Sequence, residues 1–268
     1  MSFSLRLENS RVLKGIVETL SNIIDETKVK ITPKEFTITA IDPSRICLLK
    51  LLIKKEDFDD YSCSKNFEIG INLGDLDKIL KRSSANDAIT IEYKEEEQKL
   101  KIKMKRPDTS RTRTFSLALK DLEIEEIPFE TLFGIEYNAV WEIEPEFLEE
   151  AIKDADIYSE VLNIKAIKDE GLIFSASGEI GEMEYNLTLD DLPTSEIEET
   201  CSGAYSINFL KAILKITQIT IKLQMSLKTD HPLKIIFEIE NGGELSFFLA
   251  PRVEEPEFED EDEDFDEF

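Results

Sequence analysis

The chain states one design twice, at an offset of about half its length, and internal repetition constrains the architecture before any other signal does. Val12-Leu13-x-x-Ile16-Val17-x-x-Leu20 recurs as Phe147-Leu148-x-x-Ala151-Ile152-x-x-Ala155. Phe36-Thr-Ile-Thr-Ala-Ile-Asp42 recurs in kind as Leu172-Ile-Phe-Ser-Ala-Ser-Gly178, each a strand-like run ending in a small or polar turn. Ile71-Asn72-Leu73 followed by Asp77-Lys-Ile-Leu-Lys81 returns as Ile207-Asn208-Phe209 followed by Lys211-Ala-Ile-Leu-Lys215. Three pairs in one order at nearly one offset imply two similar domains in tandem, and 268 residues suffice for each to bury its own core.

The repeated unit reads as amphipathic helix followed by strands. Val12, Leu13, Ile16, Val17 and Leu20 fall on one helical face, and the second-half residues do the same. Strand signals follow at 29–31, 36–41, 46–53 and 67–71, separated by Pro33, Pro43 and polar clusters. A second helix is expected over 74–82, then alternating strands at 89–93, 100–104 and 114–119; 221–227 is the cleanest period-2 run of the second half. Few helices and many strands joined by short turns point to an α+β fold, antiparallel sheet with helices on one face. The expected division is 1–119, a connector 120–133, 134–253 and an acidic tail 254–268. Pro128 breaks any helix in the connector, so an extended path with Leu122, Ile124 and Ile127 on a surface is expected.

No run is long and apolar enough to span a membrane, and the N-terminus lacks a signal core. Cys47, Cys63 and Cys201 are odd in number and without metal-ligand spacing, which fits a reducing intracellular compartment. A net charge of -26 argues against a nucleic-acid partner until its location is considered. Much of the acid is in the last stretch, Glu254-Glu-Pro-Glu-Phe-Glu-Asp-Glu-Asp-Glu-Asp-Phe-Asp-Glu-Phe268, which has no base and reads as a solvated tail.

Opposite the apolar stripes stand Arg11 and Lys14, then Lys78, Lys81 and Arg82, then Lys211 and Lys215, at spacings that set them side by side. Bases gathered on the helices of an acidic protein suggest a phosphate-facing surface, although lysines also serve solubility on any exposed helix. For catalysis there is little: one histidine, His231, scattered cysteines, and no phosphate loop, metal cluster or cofactor motif. Carboxylates are numerous enough that a metal-dependent nuclease stays open as an alternative. Asp42 and Asp87 sit beside turn residues and read as turn formers. Phe247-Phe-Leu-Ala-Pro251, with Ile41, Leu48, the connector and Pro232, could wall an apolar groove.

Ile41-Asp-Pro-Ser-Arg45, Phe58-Asp-Asp-Tyr-Ser-Cys63, Ile69-Gly-Ile-Asn-Leu73 leading to Lys78-Ile-Leu-Lys-Arg82, Phe174-Ser-Ala-Ser-Gly-Glu179 and Leu249-Ala-Pro-Arg-Val253 together resemble the archaeal and eukaryotic sliding clamp family, proliferating cell nuclear antigen. The resemblance runs in order from the first helix to Val253. It implies a DNA clamp fold: two like domains per subunit and three subunits in a closed ring, with sheets outside and four helices inside around duplex DNA. By similarity Lys14, Lys78, Lys81 and Lys215 match channel-lining lysines, with Arg11, Arg82, Lys153 and Lys211 as neighbours. Ile41, Leu48, Ile127, Pro232, Phe248, Leu249 and Ala250 match the groove that takes the short aromatic-ended peptide of polymerases, flap endonuclease and ligase. Residues 110–119 and 178–187 match the strands that pair between subunits.

Two departures stand out. Glu149, Glu150, Asp154 and Asp156 occupy the second-domain helix where the family often has base, leaving Lys153 nearly alone; and Glu125 falls where an apolar groove residue is expected, so that Ile124 takes that role or the groove narrows. The resemblance implies a non-enzymatic processivity factor without cofactor. Its partners would be double-stranded DNA, the replicative polymerase, the clamp loader, flap endonuclease, DNA ligase and its own copies. The alternative is a subunit of a heterotrimeric or checkpoint-type clamp. The Asp-Pro-Ser-Arg element and the lack of a basic import run favour an archaeal cytoplasm over a nucleus.

Overall fold

Each element of the first half has a counterpart in the second, in the same order. The computed structural model describes residues 2–107, 109–123 and 129–252. The first half runs β1 (Ser2–Leu7), α1 (Ser10–Ser21), β2 (Glu26–Ile31), β3 (Glu35–Ile41), β4 (Cys47–Lys54), β5 (Asp60–Cys63), β6 (Phe67–Asn72), α2 (Leu73–Leu80), β7 (Ala88–Lys94), β8 (Lys99–Lys105) and β9 (Thr112–Ala118). A short helix, α3 (Phe129–Phe133), intervenes. The second half runs β10 (Ala139–Glu142), α4 (Pro145–Ala155), β11 (Val161–Ile167), β12 (Gly171–Gly178), β13 (Gly181–Thr188), β14 (Ser195–Ile197), β15 (Cys201–Ser206), α5 (Ile207–Ile213), β16 (Thr220–Leu227), β17 (Leu233–Ile239) and β18 (Gly243–Leu249).

The pairings repeat as well. β1 joins β5 and β7 as β10 joins β14 and β16, and β2 joins β3 and β6 as β11 joins β12 and β15. All of these ladders are antiparallel. One further pairing has no second instance among the described residues: β18 lies on β4, from Glu244 opposite Leu52 to Leu249 opposite Cys47. That seam fuses the halves into a nine-stranded sheet, β14-β10-β16-β17-β18-β4-β3-β2-β6. A five-stranded sheet ends in β9 and a four-stranded one in β13, each an unpaired edge among the described residues.

Alternation dictates which face is buried. In β8 the burial pattern of Lys99-Leu-Lys-Ile-Lys-Met-Lys105 places Leu100, Ile102 and Met104 inside. Burying each such side chain stabilises the fold by about 1.5–3 kcal/mol. One hydrophobic cluster runs through both halves, with Trp141, Phe174, Phe237 and Phe247 wholly enclosed. The helices form a single layer, α1 against α2 and α5, and α4 against α5.

Two sequence expectations need correction. Each half opens with a strand, β1 or β10, rather than with its helix; both are short and find partners far along the chain, so local pattern gives little sign of them. The connector is not extended to its end, because α3 begins immediately after Pro128, a residue tolerated at the start of a helix though not inside one. Its first residues lie against β6: the Lys120 amide donates to the Gly70 carbonyl at 2.9 Å. A Cβ at position 70 would lie 2.3 Å from the Lys120 carbonyl oxygen and 2.9 Å from Leu122, so only glycine admits the connector there. Ile124, Glu125, Ile127 and the tail 254–268 lie outside the described residues.

Candidate DNA-facing helices and partner groove

Capping side chains start the first-half helices. Asn9 Oδ1 accepts from the Arg11 amide at 2.7 Å, and Asn72 Oδ1 accepts from the Asp75 amide at 2.8 Å. With Val12, Leu13, Ile16, Val17 and Leu20 buried on α1, and Leu73, Leu76 and Leu80 on α2, the turns left outside carry Arg11, Lys78 and Lys81 exposed and Lys14 half-buried. Arg82 follows α2, also exposed. In the second half, α4 starts at Pro145 and buries Leu148, Ala151, Ile152 and Ala155. Lys153 and Lys211 are exposed on α4 and α5, and Lys215 on the 3-10 turn that extends α5.

Most of these cations already face an acid. Lys81 bridges Asp77 at 2.7 Å and Glu18 at 3.8 Å, Lys78 bridges Asp75 at 2.9 Å, Lys153 bridges Glu149 at 3.2 Å and Lys211 bridges Asp156 at 2.8 Å. Arg11 reaches Glu240 at 3.2 Å, and Lys215 donates to Asn22 at 2.6 Å. Lys14 and Arg82 make no ion pair among the described residues. The hydrogen bond to Asp77 raises the Lys81 pKa, which keeps the ammonium charged. The pairs made by Lys78, Lys153 and Lys211 are exposed and contribute at most about 1 kcal/mol each, so a polyanion can replace those carboxylate partners at small cost.

The second candidate lies on the far side of the nine-stranded sheet. Asp42 builds one wall: its carboxylate accepts from the amides of Ser44 at 2.8 Å, Ile46 at 2.7 Å and Cys47 at 2.6 Å, and from the Ser44 hydroxyl. These bonds fold 42–47 into a tight turn that sets half-buried Ile41 opposite Leu48. Arg45 there has φ 61°. Asp42 is therefore the organiser of this turn. Pro232 is held from below, its carbonyl accepting from the Tyr137 hydroxyl at 3.0 Å. Phe248 and Leu48 are buried yet stand apart from the main core cluster. What covers Phe248 is Phe133 of α3, edge-on at 5.0 Å between ring centres and still 38% exposed.

The groove residues named from sequence divide. Ile41, Leu48, Pro232, Phe248 and Ala250 are gathered along this face. Leu249 is not: it is fully buried within the main core, because its neighbour Phe248 takes the outward position and successive strand side chains alternate. Three residues that sequence reasoning passed over belong to the site. Phe133 forms its floor, and Lys50 and Lys234 hold their ammonium groups over its ring at 4.9 and 5.6 Å, with Lys234 also 5.9 Å from Phe248. Parity could have found the lysines, since Lys50 stands two residues from Leu48 on β4 and Lys234 pairs with Phe248.

The third region is the pair of free edges. Arg113 on β9 bonds the Asp87 carboxylate at 2.9 Å and donates to the Arg82 carbonyl at 2.9 Å, and Arg106 lies 3.5 Å from Asp87. Burial pushes the Asp87 pKa up, but the Ser84 amide and both guanidiniums outweigh it and hold the carboxyl below its ordinary value. β9 contains Arg113 and no acid, while β13 contains Glu182 and Glu184 and no base. Phe115 on one edge and Met183 and Tyr185 on the other touch the core while only half-buried. Among the described residues no group of three or more His, Cys, Asp or Glu could hold a metal ion.

Residues 2–127 match the family model described as proliferating cell nuclear antigen, N-terminal domain, and residues 132–252 match that of the C-terminal domain. The DNA polymerase sliding clamp of Pyrococcus horikoshii is 34% identical over 257 residues, and that of Thermococcus gammatolerans 35% over 261. Each alignment covers 95% of this chain and the whole of the relative.

Proposed function

This chain belongs to the proliferating cell nuclear antigen family, and from that premise we propose that it is a sliding clamp: a ring that encircles duplex DNA and tethers DNA polymerase to it. The reading assigns no chemical step to the chain itself. A ring retained by topology needs only weak, sequence-independent attraction to phosphates, which exposed lysines supply while leaving it free to slide. The residues offered to DNA are Arg11, Lys14, Lys78, Lys81, Arg82, Lys153, Lys211 and Lys215. The division into 1–119, 120–133, 134–253 and 254–268 is part of the same proposal.

The observation that carries the ring is the β18·β4 seam. β9 is the counterpart of β18, as the shared Phe-x-Leu-Ala of 115–118 and 247–250 marks, and β13 is the counterpart of β4. The seam made once within the chain is thus available again between chains, β9 of one copy on β13 of the next. Its register follows. Phe247 faces Leu49 across the internal seam, and Leu49 pairs with Ala40 as Met183 pairs with Ala176, so Phe115 is placed opposite Met183 of a neighbouring copy. One base on β9, Arg113, and two acids on β13, Glu182 and Glu184, suit this head-to-tail self-association, which favours a homotrimer over a heterotrimer.

Ile41, Leu48, Pro232, Phe248 and Ala250, floored by Phe133, form the proposed site for aromatic-ended peptides of the polymerase, clamp loader, flap endonuclease and ligase. An archaeal cytoplasm is the proposed location. Sedimentation of the protein expressed alone tests the ring, with three times the chain mass expected at micromolar concentration. Polymerase stimulation on closed circular DNA, lost on linear DNA from which a ring slides, tests the tether. A monomer that stimulates both templates alike would overturn the reading.

A further inference from the structure

We propose that the chain's own C-terminal segment, 254–268, docks in this groove against Phe133, between Lys50 and Lys234, and competes there with partner peptides. The inference rests on the reading of the groove given above. It starts from a local reversal of charge. On a chain of net charge -26, with most helix-face lysines bound to acids, Lys50 and Lys234 have no carboxylate partner among the described residues. They stand over the exposed aromatic floor. An occupant complementary to that surface carries aromatic rings spaced among acids.

Residues 254–268 have that composition: Phe258, Phe265 and Phe268 set among eleven Asp and Glu, with no base. The last described residue before them, Arg252, lies near the groove. Ala250 lines it, and the Arg252 amide donates to the Ala204 carbonyl at 2.7 Å. The adjacent Tyr205 hydroxyl bonds the His231 carbonyl at 3.2 Å, next to the wall residue Pro232. From Arg252, six residues reach Phe258, a span of up to about 20 Å when extended. A tether of this length supplies an effective concentration near the millimolar range, so even weak docking occupies the site for an appreciable fraction of the time.

The test compares the full chain with a chain ending at Val253, each titrated with a neutral fluorescent peptide ending in Phe-Phe. At low salt the shortened chain is expected to bind about three- to tenfold tighter. The gap should close at high salt and in the Lys50→Glu, Lys234→Glu variant. A synthetic 254–268 peptide should displace the probe from the shortened chain, and its version with all three Phe changed to Ala should not. If the probe binds both chains equally and Phe133→Ala abolishes that binding, the groove stands and the tail proposal is overturned. If Phe133→Ala leaves probe binding unchanged, the groove reading fails and takes the tail proposal with it.

Discussion

Laid over one another, the two halves share a path and part company in charge. On α1, α2 and the turn after α2, Arg11, Lys14, Lys78, Lys81 and Arg82 outnumber Glu18, Asp75 and Asp77. On α4, α5 and the turns that follow them, Lys153, Lys211 and Lys215 are outnumbered by Glu146, Glu149, Glu150, Asp154 and Asp156. The edges diverge the same way, basic at β9 and acidic at β13. Apolar periodicity preserves the fold in both halves, and nothing in that periodicity restrains the outward positions. Divergence there gives the first half the greater share of the proposed DNA contact and makes the two ends complementary.

The largest expected effect comes from breaking the proposed equivalence of the seams. Phe115→Glu places a charge where Phe247 is wholly enclosed in the internal seam, and an unpaired buried charge costs several kcal/mol. The variant should sediment as a folded monomer at micromolar concentration. Met183→Lys should do the same. The double variant, which sets Glu opposite Lys in the inferred register, should recover part of the assembly. A double variant no better than either single would leave the edges as the joint but overturn the register.

Less drastic is the contrast between the helix pairs. Lys14→Glu, Lys78→Glu and Lys81→Glu together should reduce polymerase stimulation by more than about tenfold. The same set should flatten the salt dependence of DNA binding, its log–log slope falling by about 0.9 for each phosphate that is no longer neutralised. The matching set Lys153→Glu, Lys211→Glu and Lys215→Glu should cost under about threefold, because that face is already acidic. Equal effects from the two sets would remove the asymmetry argued for the halves. Both sets should still unfold cooperatively with midpoints lowered by a similar, small amount, since five of the six positions are exposed and Lys14 is half-buried.

What could be read from sequence was what repeats locally. The stripes Val12 to Leu20 and Phe147 to Ala155 announced α1 and α4, and the alternation around Leu100 and Leu223 announced β8 and β16. Contacts between distant segments were hidden. β1 pairs with a strand some eighty residues on, and nothing near Phe133 signals that it will rest on Phe248. Leu249 was misplaced for a different reason: Phe247, Phe248 and Leu249 are all apolar, so composition cannot say which face each takes. The resemblance to a clamp family implies the ordered site, and the structure adds its floor, its lysines and the amides that the Asp42 turn holds.

The smallest expected effect concerns Asp87, which anchors the basic edge. Its carboxylate is 1% exposed and holds Arg113 on β9 beside Arg106, so the edge strand is fixed to the end of α2 before any neighbour arrives. The folded-state pKa is below the ordinary value of about 3.9, so this contribution is complete above that value and disappears as pH falls through the folded pKa. Asp87→Asn keeps the shape and removes the charge. Near pH 6 it should weaken assembly by a few-fold, about 1 kcal/mol for a charge-assisted bond from a buried carboxylate to guanidiniums that stay half exposed. As acid protonates Asp87 in the parent protein, the two assembly curves should converge. Curves that already coincide near pH 6 would mean that β9 keeps its position without this ion pair.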